Sequence, residues 1–292
     1  MTMQTAWGGM LSIYLFLGGL GGGMLVLTSL MDLIAPKRYR RTVLVVTWAA
    51  FGCLIAGSLV LLADVGVPER ALMLWRSFTN FGTWMSWGAW ALVAAMAMAA
   101  LHALAAAFME RVSVVRRSLA VLSLVSGGLA VVYTGMLLMS SSAVPAWGTW
   151  LLPVLFSLSS LGSAAAGVLV VVRFFERKGQ AKKARPFHIV TVVVSLTEGL
   201  ALCAYVTWLL LGSSYTAPSA LMLLVGDYQV MFWLLIVFCG LAVPLVASGL
   251  SLLLRTDVAV VVAVAALCAL AACLALRFVV LSIGMYVSVA LA

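Results

Sequence analysis

Apolar runs of about 20 residues recur along the whole chain, each long enough to cross a hydrocarbon core of roughly 30 Å. No other feature constrains the fold so tightly. In lipid every backbone N–H and C=O must be satisfied internally, and long uninterrupted runs meet that demand as helices. A transmembrane β-barrel would show short segments of alternating hydrophobicity instead. The 292 residues are 65% hydrophobic and 9% charged, with a mean hydropathy of +1.22, which leaves no composition for a soluble domain. The expected fold is an all-α polytopic membrane protein, a single helical-bundle domain over residues 1–292.

Eight spans are expected, near residues 9–34, 43–63, 84–109, 118–139, 150–174, 188–212, 228–253 and 258–280. The net charge of +9 is not a nucleic-acid signal, because the basic residues sit in short loops between spans. Lys37, Arg38, Arg40 and Arg41 follow span one, and Arg111, Arg116 and Arg117 follow span three. Arg173, Arg177, Lys178, Lys182, Lys183 and Arg185 follow span five, and Arg255 follows span seven. Fourteen of the seventeen Lys and Arg thus fall on one side, which the positive-inside rule makes cytoplasmic. Both termini are then expected on the outer, periplasmic side of a bacterial or archaeal cytoplasmic membrane. The N-terminal MTMQTAWGGM lacks a basic leader region, so the first span is expected to stay uncleaved.

The stretch from Asp64 to Trp90, DVGVPERALMLWRSFTNFGTWMSWGAW, packs acid, Arg, Pro, Asn and four Trp between two almost uncharged spans. An interfacial aromatic belt explains the Trp residues. It explains less well an Asp at a span end with Arg70 and Arg76 nearby, which suggests a local ion-pair network. The reading is a polar ledge on the outer surface.

Other polar residues stand out against the apolar background. Span one carries GGLGGG (Gly18 to Gly23), but without a preceding strand this is no dinucleotide loop. Its small-xxx-small pairs suit close helix packing, with a close approach to a ligand at Gly19 as the functional version. Tyr133 falls in the outer half of span four, where it either bonds a neighbouring helix or donates to the carbonyl of a bound ligand. Glu198 is read as the only carboxylate well inside the membrane, a position that marks proton transfer or a buried pair by default. Arg277 interrupts span eight and either snorkels outward or faces inward, toward Asp64 or a ligand oxygen. His102 and His188 make a bis-His haem conceivable, although packing and an interfacial position are the stronger readings. The five Cys lie in apolar runs with no CxxC pair, against zinc or an iron–sulfur cluster held by this chain. No metal site is expected. The final stretch, Phe278 to Ala292, is too short for a ninth span and is expected to extend span eight or lie along the outer surface.

The succession YLFLGGLGGG, LLADVGVPERALMLWRSF, TWMSWGAW, VVYTGMLL, PAWGTWLLPVLFSLSS and LRFVVLSIG resembles the NrfD/PsrC family over most of the chain, in the right order. These are the integral-membrane, quinone-interacting subunits of molybdopterin and iron–sulfur oxidoreductase complexes, with polysulfide reductase as the best-known type. The most specific element is DVGVPER with its following WMSWGAW.

The resemblance implies an eight-helix core without its own haem or cluster, and a menaquinone or ubiquinone site near the docking face. It places Tyr133, in VYTG, near the quinone headgroup. It makes Asp64 the acid of the family's D-L-G-x-P element, with Val65 for the usual Leu and Val67 for the usual Arg, and leaves Arg70 or Arg76 as the nearby bases. Family members also offer a His or Asn on the first helix, where this chain has Gln4, Ser12 and Tyr14. Glu198 and Arg277 fit the family's buried polar residues, proposed to move protons.

The function implied by the resemblance is a membrane anchor and quinol-binding subunit, not itself the catalytic centre. Quinone would meet Tyr133, Asp64, Arg76 and Gly19, and protons would pass by Glu198, Asp64 and Arg277. Electrons would go to a ferredoxin-like iron–sulfur subunit and on to a molybdopterin subunit. Docking would use Arg70, Trp75, Trp84 and Trp147, on the ledge and the Ser140–Trp150 loop. The alternatives are a proton-coupled secondary transporter, which would show pseudo-symmetric halves and broken helices, a haem b anchor, and a purely structural anchor.

Overall fold

The structure is a computed structural model that describes residues 2–3, 8–64, 84–109, 114–141, 143–176, 180–212, 215–256 and 258–286. Eight helices among these are long and apolar enough to cross a membrane, as expected. They are α1 (Gly9–Ile34), α2 (Arg40–Asp64), α3 (Trp84–Phe108), α4 (Val114–Met139), α5 (Leu151–Phe175), α6 (Gln180–Gly212), α8 (Met231–Leu254) and α9 (Ala259–Ser282). A short helix α7 (Ala217–Leu224) joins α6 to α8, and one 3₁₀ turn covers Pro145–Trp147.

Several helices begin earlier than hydropathy alone suggests. The basic residues before each apolar run are good helix formers, and they carry the helix beyond the apolar segment. Thus α6 starts at Gln180 and takes Pro186 into its early turns. Likewise α4 starts at Val114 and draws Arg116 into the helix. The helix α8 ends at Arg255, whose φ of 54° is the left-handed turn that stops a helix.

Helices α1 to α4 pack as one four-helix group, and α5, α6, α8 and α9 as another. The first helix also reaches α5 and α9, so it is the seam between the groups. Glycine allows this crowding, since without a hydrophobic force between helices in lipid, close packing must hold them. A Cβ on Gly21 would lie 2.9 Å from Leu54 of α2. One on Gly22 would lie 2.9 Å from the Gly127 carbonyl of α4, and one on Gly23 2.8 Å from the Ser160 carbonyl of α5. Three successive residues thus admit three different neighbours.

The buried apolar side chains form two main clusters stacked along the helix axes. One gathers Leu15, Leu152, Phe156, Tyr205 and Leu276 toward the end where α1 starts. The other gathers Leu25, Val43, Leu54, Ala164 and Val172 toward the opposite end. That second end is stapled by the loops. Arg38 donates to the Lys182 carbonyl, Tyr39 Oη to the Lys183 carbonyl at 3.1 Å, and Thr42 Oγ1 to Glu176 at 3.1 Å. The basic loops after α1 and α5 therefore share one face.

The chain end adds a pairing to the expected extension of span eight. The helix α9 runs to Ser282, then the chain turns, and Met285–Tyr286 pairs antiparallel with Thr2–Met3. Ser219 Oγ donates to the Ile283 carbonyl at 2.8 Å and holds the turn against α7. The two ends of the described chain are thus joined on the face opposite the basic loops.

Candidate functional site

Three helices bring a pair of phenols together near that face. Tyr14, five residues into α1, is buried, and its hydroxyl shares a hydrogen bond with Tyr133 of α4. The Tyr133 ring lies against α3, where a Cβ on Gly88 would fall 1.6 Å from its Cζ. Gly88, in the WMSWGAW segment, is therefore the gap that seats the ring. Ser12, also near the start of α1, has a buried Oγ with no hydrogen-bond partner among the described residues. A buried hydroxyl left unbonded is costly; two residues before Tyr14 on the same helix, it points to a different face from the phenols.

The residue after Tyr14 leads to the second polar centre. Arg277 is fully buried, and its Nε donates to the Leu15 carbonyl at 3.2 Å. One Nη donates to Cys273 O at 2.8 Å, Cys273 Sγ at 2.9 Å and Ser159 Oγ at 3.4 Å. The other donates to Ser160 Oγ at 2.6 Å and to the Phe156 carbonyl at 3.2 Å. The guanidinium also lies 5.0 Å over the Phe156 ring. Every partner is neutral, so the charge itself is uncompensated by any ion pair among the described residues. Gly19 makes room for it: a Cβ there would lie 2.4 Å from Ser160 Oγ and 3.0 Å from the Arg277 Nη.

Glu198 of α6 is the carboxylate that feels this charge. It hydrogen-bonds Ser159, sits in the field of Arg277, and has an Oε 3.5 Å from where a Gly162 Cβ would stand. Its side chain lines a cavity of about 10 Å³, together with Ser163, Thr191, Ser195, Gly240 and Pro244. On the α8 side the wall is unusual. Residues Met231–Ala242 form a π-helix, a wide turn that is rare at such length and tends to occur at functional sites.

The chain as a whole is similar to known proteins. The profile of the family described as "Polysulphide reductase, NrfD" matches residues 1–290. The chain belongs to this family. Protein NrfD of Escherichia coli (strain K12) is 27% identical to it over 266 residues, covering 82% of this chain and 83% of the relative. The NrfD family consists of membrane subunits linked to quinone-interacting anchors of oxidoreductase complexes, and the eight spans make this member a multi-pass membrane protein.

The remaining expected site residues divide three ways in this NrfD-family fold. Asp64 closes α2 at the same end as Tyr133, while its side chain, with Gln4, Arg70, Trp75 and Arg76, lies outside the described residues. Trp84 is exposed on the first turn of α3, with Trp87 and Trp90 also exposed. Trp147 requires a correction. Its indole is fully buried and donates to the Val280 carbonyl at 2.9 Å, with Gly284 against its ring. It fastens the 3₁₀ turn to α9 and presents no surface to a partner. Arg277 does not snorkel: neighbouring carbonyls and hydroxyls satisfy it where it stands.

One cluster escaped the sequence reading. Glu198 is not alone in the membrane: Asp32 of α1 is buried toward the basic-loop end. Arg116 of α4 grips it through Nε at 2.7 Å and an Nη at 2.6 Å, and His102 Nε2 of α3 lies 3.2 Å away. The signal was present, since Asp32 falls inside the first apolar run. Arg116, counted as a loop charge, is its counter-ion. Tyr14 was noted only as one of three polar groups on span one.

Proposed function

We propose that the chain is the membrane anchor and quinol-binding subunit of a molybdopterin and iron–sulfur oxidoreductase complex. The observation that carries this is the Tyr14–Tyr133 pair, at one membrane face with Tyr14 buried, one residue away from a carbonyl held by Arg277. A quinone supplies two-electron, two-proton chemistry at its carbonyl oxygens. A phenol pair suits that headgroup. In this reading Tyr14 donates to Tyr133 and the Tyr133 proton serves a quinone oxygen. Asp64 and Arg76 join this group from the ledge, and Gly19 lets Arg277 approach the same seam.

Protons exchanged at the headgroup pass between Asp64 and Glu198, with Arg277 stabilising the carboxylate form. Electrons pass to a ferredoxin-like iron–sulfur subunit docked on the ledge, around Arg70, Trp75 and exposed Trp84, and then to the molybdopterin subunit. The basic-loop face is cytoplasmic and both termini are periplasmic, in a bacterial or archaeal cytoplasmic membrane.

The test is quinol oxidation by the purified complex, native against Tyr133→Phe and Tyr14→Phe. Loss of one net hydrogen bond of about 1 kcal/mol should lower kcat/KM roughly fivefold or more in each. The catalytic subunit should still turn over with an artificial electron donor. If both variants assemble and oxidise quinol at the native rate, the site is misplaced. If no partner co-purifies and no quinone binds, the proton-coupled transporter reading takes over, since the π-helical wall beside Glu198 also suits a moving helix.

A further inference from the structure

Two of the five cysteines meet. Cys239 stands in the π-helical stretch of α8 and Cys268 in the first half of α9. Their thiols are in hydrogen-bonding contact across the seam between the two helices. The backbones are close there. A Cβ on Gly240, the residue after Cys239, would stand 2.6 Å from the Ala272 Cβ. Ala272 follows Cys268 by four residues, one turn along the same face of α9. The helix approach that admits no side chain at Gly240 thus keeps the two sulfurs in reach of each other.

The other cysteines stand elsewhere. Cys273 is buried, with its sulfur 2.9 Å from an Arg277 Nη and 3.3 Å from Ser163 Oγ. Five residues after Cys268, it points away from it by roughly 140° around α9. Cys53 lies on α2 and Cys203 on α6.

The Cys239–Cys268 pair sits at the lipid-facing edge of the seam. Both residues are half-buried, and their chain neighbours Phe238 and Leu267 are exposed. A lipid-soluble molecule therefore reaches the thiols without crossing the protein core. What they can hold follows from coordination and charge. Two ligands are too few for the tetrahedral shell of structural zinc. A monovalent soft cation between two thiolates would leave a negative charge in hydrocarbon, where an uncompensated ion is costly. Trivalent arsenic avoids both difficulties. It is soft, as thiol ligands prefer, it takes two thiols, and its adduct is uncharged. An arylarsonous acid ArAs(OH)2 and two thiols give ArAs(SR)2 and two waters. Two As–O and two S–H bonds break, two As–S and two O–H bonds form, and arsenic stays trivalent.

We propose that Cys239 and Cys268 form a dithiol site for a soft trivalent thiophile, taken up from the lipid phase as a neutral bridge between α8 and α9. The bridge pins the π-helical wall of α8 to α9 beside the Glu198 cavity, which Gly240 and Ala272 also line. The assignment goes beyond quinone binding and does not depend on it.

The test uses the reduced full chain in lipid vesicles, with phenylarsine oxide as the probe. Intact mass should show one arsenical retained per chain after a monothiol wash, and peptide mapping should place it across Cys239 and Cys268. The second As–S bond closes within the chain, so the native protein should hold the probe against 2-mercaptoethanol roughly a hundredfold more tightly than Cys239→Ser or Cys268→Ser. Cys203→Ser should hold it like the native. The dithiol 2,3-dimercaptopropanol should strip it from both. No retained probe, retention no better than in the two pair variants, or a probe mapped to Cys53, Cys203 or Cys273 overturns the site. The map of the native chain decides even where a serine variant fails to fold. The assay contains no quinone and reads no turnover, so its failure leaves the Tyr14–Tyr133 reading standing, and the converse holds.

Discussion

The seam at Gly19 offers a sharp test of the packing, because its neighbour Gly18 is a built-in control. A Cβ on Gly19 would stand 2.4 Å from Ser160 Oγ, whereas one on Gly18 meets nothing within 4 Å. Ser160 cannot yield cheaply. Its Oγ donates to the Phe156 carbonyl at 2.8 Å and accepts from Arg277 at 2.6 Å, so turning it away breaks a hydrogen bond to a buried charge. Such a bond contributes about 1.5–3 kcal/mol. The helix gains roughly 1 kcal/mol when Gly becomes Ala, and overpacking a tight core costs about 1–3 kcal/mol. Gly19→Ala should therefore destabilise by roughly 1.5–5 kcal/mol, while Gly18→Ala should stabilise by up to about 1 kcal/mol. Denaturant unfolding in mixed micelles, followed by tryptophan fluorescence, reads both. Equal stabilities for the two variants would refute the claim that Gly19 is held open for Arg277.

Two further outcomes follow from the ion pairs. Asp32→Asn should cost about 3–5 kcal/mol by leaving Arg116 buried and uncompensated, whereas Asp32→Leu/Arg116→Leu should cost clearly less than the two single changes summed. An additive cycle in the same unfolding assay would show that the two charges do not interact. At the basic-loop face, burial pushes the Glu176 carboxyl up, but the hydrogen bonds from Lys183 and Thr42 and the Lys183 charge outweigh it and hold the group below its ordinary value of 4.5. A folded-state value below the unfolded one means the stabilisation is fully present above 4.5 and is lost as pH falls through the depressed value. Glu176→Gln should thus be less stable than native at neutral pH, and the gap should close in acid below the ordinary carboxylate range. A gap that stays constant down to that acid range would refute the linkage.

The eight spans were legible because hydropathy over 20 residues is a bulk property that no single contact can override. The sites were legible only where one residue type is out of place by itself. Glu198, Arg277 and Tyr133 qualify, each a polar group set in an apolar run. Trp147 was misjudged because a Trp beside a loop resembles an interfacial anchor, and only the fold back of the chain at Gly284 buries it. Asp32 and Arg116 lie 84 residues apart, and each near a span end resembles a solvated charge. Their pairing depends on α4 beginning at Val114 rather than 118, a shift of one helical turn that hydropathy does not resolve.

The polar layer also sorts the roles of the two residues read together as proton carriers. A guanidinium stays protonated under all ordinary conditions, so Arg277 cannot itself carry a proton. With all of its hydrogen-bond partners neutral, its fixed charge is left to act on whatever ionises nearby, and Glu198 is the carboxylate in its field. A purely structural anchor gains nothing from that arrangement: leucine at 277 would pack against Phe156 and Leu15 without the cost of burying a charge. Arg277 is better understood as a positioning residue that biases Glu198 toward its charged form and ties it, through the Leu15 carbonyl, to the helix bearing Tyr14. Glu198 is then the group that titrates. Arg277→Gln, which keeps several hydrogen bonds and removes the charge, should favour the protonated carboxyl and raise carbodiimide labelling of Glu198 at a given pH by about threefold or more. Unchanged labelling in a folded variant would refute the assignment, because hydrogen bonding alone would then account for the site.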